Sequence, residues 1–76
     1  MNMLKLPDLG EGIEHATIST WYFEVGDQIK EGDDVVELAT DKATFNVSAT
    51  HSGVLKQKLA QKGDDVKIGG FLAIIE

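Results

Sequence analysis

The 76-residue chain contains no cysteine and no arginine. The first absence excludes disulfides and thiolate metal sites, so a domain this small must use its apolar core efficiently. The second makes all seven basic residues lysines, set against thirteen acidic ones for a net charge of −6. Such a chain has no basic face for nucleic-acid phosphates or for an anionic membrane surface. Its acidity instead favours solubility and discourages self-association. No apolar run approaches the length that spans a bilayer. The opening Met1-Asn2-Met3-Leu4-Lys5 lacks the apolar core of a secretory signal and does not read as a mitochondrial presequence. There is one proline and one tryptophan. Trp21 is expected at the edge of the core.

What the chain does have is glycine, eight of them, at short intervals that leave little room for helices. Ala43 to Ser48 alternates in period two, with Phe45 and Val47 opposed to Thr44, Asn46 and Ser48. Val54 to Leu59 also alternates, with Leu55 and Leu59 opposed to Lys56 and Lys58. Phe71 to Ile75 is a compact apolar run that reads as a buried strand. Short strands with frequent turn signals predict an all-β barrel or sandwich. Ala16 to Val25 is strand-like, but Ile18, Trp21, Phe23 and Val25 break strict alternation, which predicts a bulge near Thr20.

The sequence also repeats itself. Gly26-Asp27 recurs 37 residues later as Gly63-Asp64. At the same offset Ile18 matches Leu55, Ile29 matches Val66, Lys30 matches Lys67, Gly32 matches Gly69, Val35 matches Leu72 and Leu38 matches Ile75. Two copies of one supersecondary unit make a sandwich with approximate two-fold symmetry, one domain over residues 1–76. In the first copy, strand 35–40 turns at Thr40-Asp41-Lys42-Ala43 into strand 43–48. In the second, strand 71–75 ends, so its partner must come from the N-terminal segment around Met3 to Leu6. Both termini are therefore expected in one sheet, with the Lys42 turn at the related place in the other.

That turn is the first candidate site. It lacks the glycine or asparagine of a primed hairpin turn. A type I turn, whose central residues keep negative φ, fits its residues and holds Lys42 outward at a defined tip. An enzyme that modifies a lysine amine needs that presentation. Asp33-Asp34 and Asp64-Asp65 lack the ligand period of a calcium loop and read as turn chemistry. His15 and His51 are isolated and expected on the surface. Gly10-Glu11-Gly12 has no third glycine or following helix, so it is not a dinucleotide fingerprint.

In order along the chain stand Leu6-Pro7-Asp8-Leu9-Gly10-Glu11-Gly12-Ile13, Val25-Gly26-Asp27, Glu31-Gly32-Asp33, Thr40-Asp41-Lys42-Ala43-Thr44 and Gly53-Val54. With these motifs the whole chain resembles the lipoyl domains of 2-oxo acid dehydrogenase complexes. The resemblance implies a flattened barrel of two four-stranded antiparallel sheets. It implies lipoate in amide linkage to Lys42, with Asp41 and Ala43 presenting the lysine. It places the loop through Gly10, Glu11, Gly12 and Glu14 near that lysine, where it aids recognition by the partner decarboxylase. The implied role is that of a non-catalytic carrier in an acyltransferase chain. The carrier takes an acyl group from a thiamine-diphosphate-dependent decarboxylase, delivers it to the acyltransferase core, and is reoxidised by dihydrolipoamide dehydrogenase. A lipoate ligase or a lipoyl/octanoyl transferase would install the group. The compartment expected is the bacterial cytoplasm, or the mitochondrial matrix in a eukaryote.

One position departs from the pattern. Many relatives carry an acid or amide three residues before the lysine, and this chain has Ala39 there, with Glu37 the nearest upstream acid. Two other readings compete. Biotin carriers have the same fold, but usually flank their lysine with methionines rather than Asp41 and Ala43. An interaction module without a prosthetic group would leave Lys42 unmodified.

Overall fold

The computed structural model describes residues 2–76. Eight strands follow in order: β1 (Asn2–Lys5), β2 (His15–Trp21), β3 (Gln28–Ile29), β4 (Asp34–Ala39), β5 (Thr44–Ser48), β6 (Gly53–Lys58), β7 (Asp65–Lys67) and β8 (Phe71–Ile75). They form two four-stranded sheets, ordered β1-β8-β6-β3 and β5-β4-β2-β7, with every pairing antiparallel. Adding 37 residues carries β2, β3 and β4 onto β6, β7 and β8, so each sheet order is the image of the other. β1 stands where β5 stands, as the repeat predicts. Asn2 is opposite Ile75, which brings both ends of the chain into one sheet, while the Lys42 turn joins β4 to β5 in the other.

The repeat extends to the irregularities. Opposite β4, Ile18 faces Leu38 and Thr20 faces Glu37, which leaves Ser19 as the extra residue of a bulge. This is the irregularity expected near Thr20. Opposite β8, Leu55 faces Ile75 and Gln57 faces Ile74, so Lys56 bulges at the equivalent place. An extra residue reverses which side later residues face. The alternation expected from Val54 to Leu59 therefore breaks. Leu55 is fully buried but Leu59 is exposed, and Lys58 is half-buried instead of pointing to solvent.

A second pair of bulges lies at Val35, between the β4 partners Asp34 and Val36, and at Leu72, between the β8 partners Ala73 and Phe71. Here the bulge lets two successive side chains face inward. Val35-Val36 and Leu72-Ala73 are all fully buried. The run from Phe71 to Ile75 is thus not buried throughout: Phe71 is 49% exposed, with the Lys5 ammonium 5.4 Å from its ring centroid.

Strand β2 ends at Trp21, before the expected limit at Val25. Asp27 accounts for this, because its carboxylate accepts the Glu24 amide at 2.8 Å and turns the chain. Asp64 does the same to the Gln61 amide at 2.8 Å. Gly26 and Gly63 take φ of 100° and 92°, which side-chain-bearing residues rarely adopt. Between the sheets, Leu6, Ile18, Ile29, Leu38, Leu55 and Leu72 are the largest fully buried side chains. Truncating one of these leucines to alanine costs about 2–5 kcal/mol in such a core. Trp21 lies at the core edge as expected, its indole N–H donating to the Ala60 carbonyl at 3.2 Å under the Lys58 ammonium.

Gly53 is needed for a different reason from the turn glycines. A Cβ there would lie 2.7 Å from the Glu76 carbonyl carbon, and the Glu76 amide is tied to the Val54 carbonyl at 3.0 Å. Gly53→Ala is therefore expected to destabilise the fold by about 1–3 kcal/mol, the range for inserting an atom into a packed site. Urea unfolding would read this as a lower midpoint at unchanged slope. An unchanged midpoint would mean that the end of β8 gives way freely.

Candidate functional site

The hairpin joining β4 and β5 stands on buried side chains, Leu38 and Val47. At its tip the Thr40 amide donates to the Ala43 carbonyl at 2.9 Å, with Asp41 and Lys42 between them. Among the described residues none other than glycine has positive φ, so this corner is not a primed turn. The Thr40 hydroxyl oxygen accepts the amides of Lys42 and Ala43, each at 3.2 Å, and donates to the Ala43 carbonyl at 3.0 Å. Asp41, Lys42 and Ala43 are all exposed. The lysine is thus an exposed side chain in a turn whose Thr40, Lys42 and Ala43 amides are tied internally.

Beside the tip is a cleft of about 320 Å³, lined by Lys42, Asp41, Thr40 and Ala39 on one side and by residues from Gly12 to Thr17 on the other. The loop leading into β2 is shaped by its own bonds. Asp8 accepts the Gly10 amide at 3.0 Å, and the Glu14 carbonyl accepts the Ile68 amide at 3.0 Å. Gly12 passes close to the lysine: a Cβ at Gly12 would lie 3.4 Å from the Lys42 Nζ. Of the four loop residues singled out in sequence, Gly12 and Glu14 line the cleft, while Gly10 and Glu11 do not. Ala39 lies between Thr44 and Thr17 in the sheet, where its small side chain leaves the cleft floor open. Glu37 does not replace the missing acid. It lies outside the cleft lining and accepts hydrogen bonds from Ser19 at 3.1 Å and Tyr22 at 3.4 Å.

His15 belongs to this site, which its isolation in sequence concealed. Its Nδ1 is 2.7 Å from Asp65 Oδ1, and its ring lines the cleft. The hydrogen bond and then the charge of Asp65 raise the imidazole pKa, desolvation opposes them, and Asp41 and Glu14 add to the rise. The partners are 50 residues apart. The signal that could have joined them is the repeat, which pairs β7 with β2 as β3 pairs with β6. The paired aspartates otherwise serve turns and strand edges. Asp33 accepts the Lys30 amide at 3.0 Å, and Asp34 accepts from Ser48 at 2.9 Å. His51 is exposed and contacts Thr50.

The chain is a two-sheet fold with an exposed lysine at the β4–β5 hairpin tip, and comparisons with known proteins identify its family. The family model described as biotin-requiring enzyme, of the biotin and lipoyl type, matches residues 2–75. The chain belongs to this biotin/lipoyl-attachment family. It is 40% identical over 75 residues to the dihydrolipoyllysine-residue succinyltransferase component of the 2-oxoglutarate dehydrogenase complex of Staphylococcus saprophyticus. That match covers 99% of this chain and 18% of the relative, so the chain spans under a fifth of that protein's length. Among solved structures it is similar to the lipoyl domain of the 2-oxoglutarate dehydrogenase complex from Azotobacter vinelandii. The TM-score is 0.78 at 29% identity, over 100% of this chain and 96% of that one. It is also similar to part of Kluyveromyces lactis urea carboxylase, with a TM-score of 0.83 at 27% identity, over 99% of this chain and 6% of the other.

The His15–Asp65 pair has a defined pH signature. A histidine whose folded pKa is raised stabilises the fold fully below its unfolded pKa, about 6.5, and loses that contribution as the pH rises through the folded value. Titration of the His15 ring followed by NMR should give a midpoint above the ordinary value in the wild type. In Asp65→Asn the midpoint should fall back toward it. Equal midpoints in the two proteins would mean that the pair does not hold in solution.

Proposed function

We propose that this chain is a lipoyl carrier domain and that lipoate is attached in amide linkage to the Nζ of Lys42. The observation that carries the reading is the exposed Lys42 amine at a tip fixed by Thr40, in a domain of the biotin/lipoyl family. The residues fit the group. A primary amine is the chemistry an amide needs, and the adjoining cleft leaves open space around it. When bound, the lipoyl group would supply a disulfide that is reduced and acylated, and the chemistry is that of the cofactor rather than of the protein. The chain's own part is to tether and present. Thr40, Asp41 and Ala43 form the turn, on a hairpin whose base is anchored by buried Leu38 and Val47. Tethering raises the effective concentration of the carried group at each partner, provided the geometry lets it reach them.

The partners we assign are a thiamine-diphosphate-dependent 2-oxo acid decarboxylase, an acyltransferase core and dihydrolipoamide dehydrogenase, with a lipoate ligase or a lipoyl/octanoyl transferase for attachment. Identity to a succinyltransferase component supports a place in a complex of this kind. Gly12 and Glu14 border the lysine and are the loop positions best placed for recognition by the decarboxylase. Gly10 and Glu11 would act from the outer part of the same loop. A second reading, a biotin carrier, draws on the family description. Asp41 and Ala43 at the lysine's flanks speak against it.

Intact-mass analysis and peptide mapping of protein made in a host supplied with lipoate decide between them. A lipoyl adduct on Lys42, absent from Lys42→Ala, is expected. A biotin adduct or an unmodified lysine would overturn the lipoyl reading.

A second assay concerns Ala39. Ala39→Glu supplies a carboxylate three residues before the lysine, where many related domains carry an acid or amide, and its initial rate of modification by a lipoate ligase should exceed that of the wild type. Equal rates would mean that the ligase does not use that position.

A further inference from the structure

We infer that the Thr40 hydroxyl is the positioning group for modification of Lys42: the side chain, rather than the main chain, holds the turn that presents the amine. The inference rests on the carrier reading and adds a residue to it. In a type I turn the amide of the fourth residue usually bonds to the carbonyl of the first. Here the Ala43 amide goes instead to the Thr40 hydroxyl oxygen at 3.2 Å, and the Lys42 amide goes to the same oxygen at 3.2 Å. The hydroxyl proton goes to the Ala43 carbonyl at 3.0 Å. A hydroxyl has one donor and two acceptor sites. All three are spent inside this four-residue turn.

The division of labour follows from those bonds. The main-chain bond from the Thr40 amide to the Ala43 carbonyl, at 2.9 Å, closes the base of the tip. It leaves the Lys42 and Ala43 amides unheld, and the hydroxyl holds both. These groups are at the exposed end of the hairpin, where water can replace a lost partner. Removing the hydroxyl should therefore cost little stability. It should instead let the Lys42 backbone sample other conformations, so that a modifying enzyme must order it on binding.

In the step concerned, Lys42 Nζ forms a bond to the acyl carbon of lipoyl adenylate, which the ligase makes from lipoate and ATP. The acyl–phosphate bond breaks, AMP leaves, and the lysine ammonium loses two protons on becoming the amide. Thr40 touches none of the reacting atoms. It acts through the backbone of the residue that does.

The test compares the wild type with Thr40→Val, which keeps the branched shape without the hydroxyl, and with Thr40→Ser, which keeps the hydroxyl without the methyl. Modification by a lipoate ligase with lipoate and ATP is followed by intact mass. Amide hydrogen exchange at Lys42 and Ala43 is measured in the same proteins. Acetylation of Lys42 by acetic anhydride serves as an enzyme-free control. Thr40→Val should lose about tenfold in kcat/KM, the factor that corresponds to about 1.4 kcal/mol. It should exchange faster at both amides, while thermal unfolding and acetic anhydride reactivity stay at wild-type values. Thr40→Ser should restore both modification and protection.

Wild-type modification and wild-type exchange in Thr40→Val would overturn the positioning role alone. So would a loss of modification matched by an equal loss in Thr40→Ser. A wild-type chain that takes no lipoate would sink the carrier reading, and the positioning role with it.

Discussion

Each half of the molecule is closed by the other. The Gly26 amide donates to the Leu55 carbonyl at 2.8 Å, and the Leu55 amide returns to the Asp27 carbonyl at 2.9 Å. At the symmetric place the Gly63 amide donates to the Ile18 carbonyl and the Ile18 amide to the Asp64 carbonyl, both at 2.9 Å. A glycine-aspartate turn from one copy thus locks the long strand of the other, beside the bulges at Ser19 and Lys56. Neither copy could give these amides, two of them on buried Ile18 and Leu55, their partners alone. This reciprocity lets so short a chain without disulfides enclose a core whose largest members come from both halves. β4–β5 is the one sheet pairing among the described strands that joins consecutive strands. The hairpin that carries Lys42 is also the most local unit of an otherwise non-local fold.

That locality suits an attachment site. The base of the hairpin is set by buried Leu38 and Val47, so the position of the tip is inherited from the core. The tip itself depends on its own four residues. A partner enzyme would therefore meet a lysine whose location is set by the core and whose backbone is held within the turn. The surrounding charges are mainly acidic, with Glu14, Asp41 and Asp65 around His15. Amide formation at Lys42 removes a cation from this group, so a modified domain would present a more negative face than an unmodified one.

Much of this was legible in the sequence because it follows from the repeat and from turn chemistry. The matching glycine-aspartate pairs predicted the two related sheets and the terminal strand in the place of β5. The broken alternation around Ile18 and Trp21 predicted the first bulge. The bulges at Lys56 and Leu72 were missed because period-two reading assumes that every residue flips the face. One extra residue makes Leu59 exposed and lets Leu72 and Ala73 both turn inward. The His15–Asp65 pair was missed for a different reason. It depends on which strands neighbour each other, and spacing along the chain carries that only when the repeat is used to pair β7 with β2. Glu37 is the nearest upstream acid in sequence, and only the structure shows that its side chain is committed to Ser19 and Tyr22.

The distinctive chemistry lies where the two-fold symmetry fails. Thr40, Asp41, Lys42 and Ala43 link β4 to β5, whereas the equivalent strands β8 and β1 are paired without a covalent link. The environment of the tip is unsymmetrical as well. The position matching His15 is Ser52, which accepts the Glu31 amide at 2.8 Å, and the position matching Asp65 is Gln28, which donates to the Gly53 carbonyl at 3.2 Å. The His15–Asp65 pair at one end is thus replaced at the other by neutral groups that only brace the backbone. Packing and bulges are shared by both copies because both must build the same core. The lysine, the hydroxyl that holds its turn and the His15–Asp65 pair in the cleft beside it cluster at one end of the fold, which is the pattern expected if they serve something other than folding.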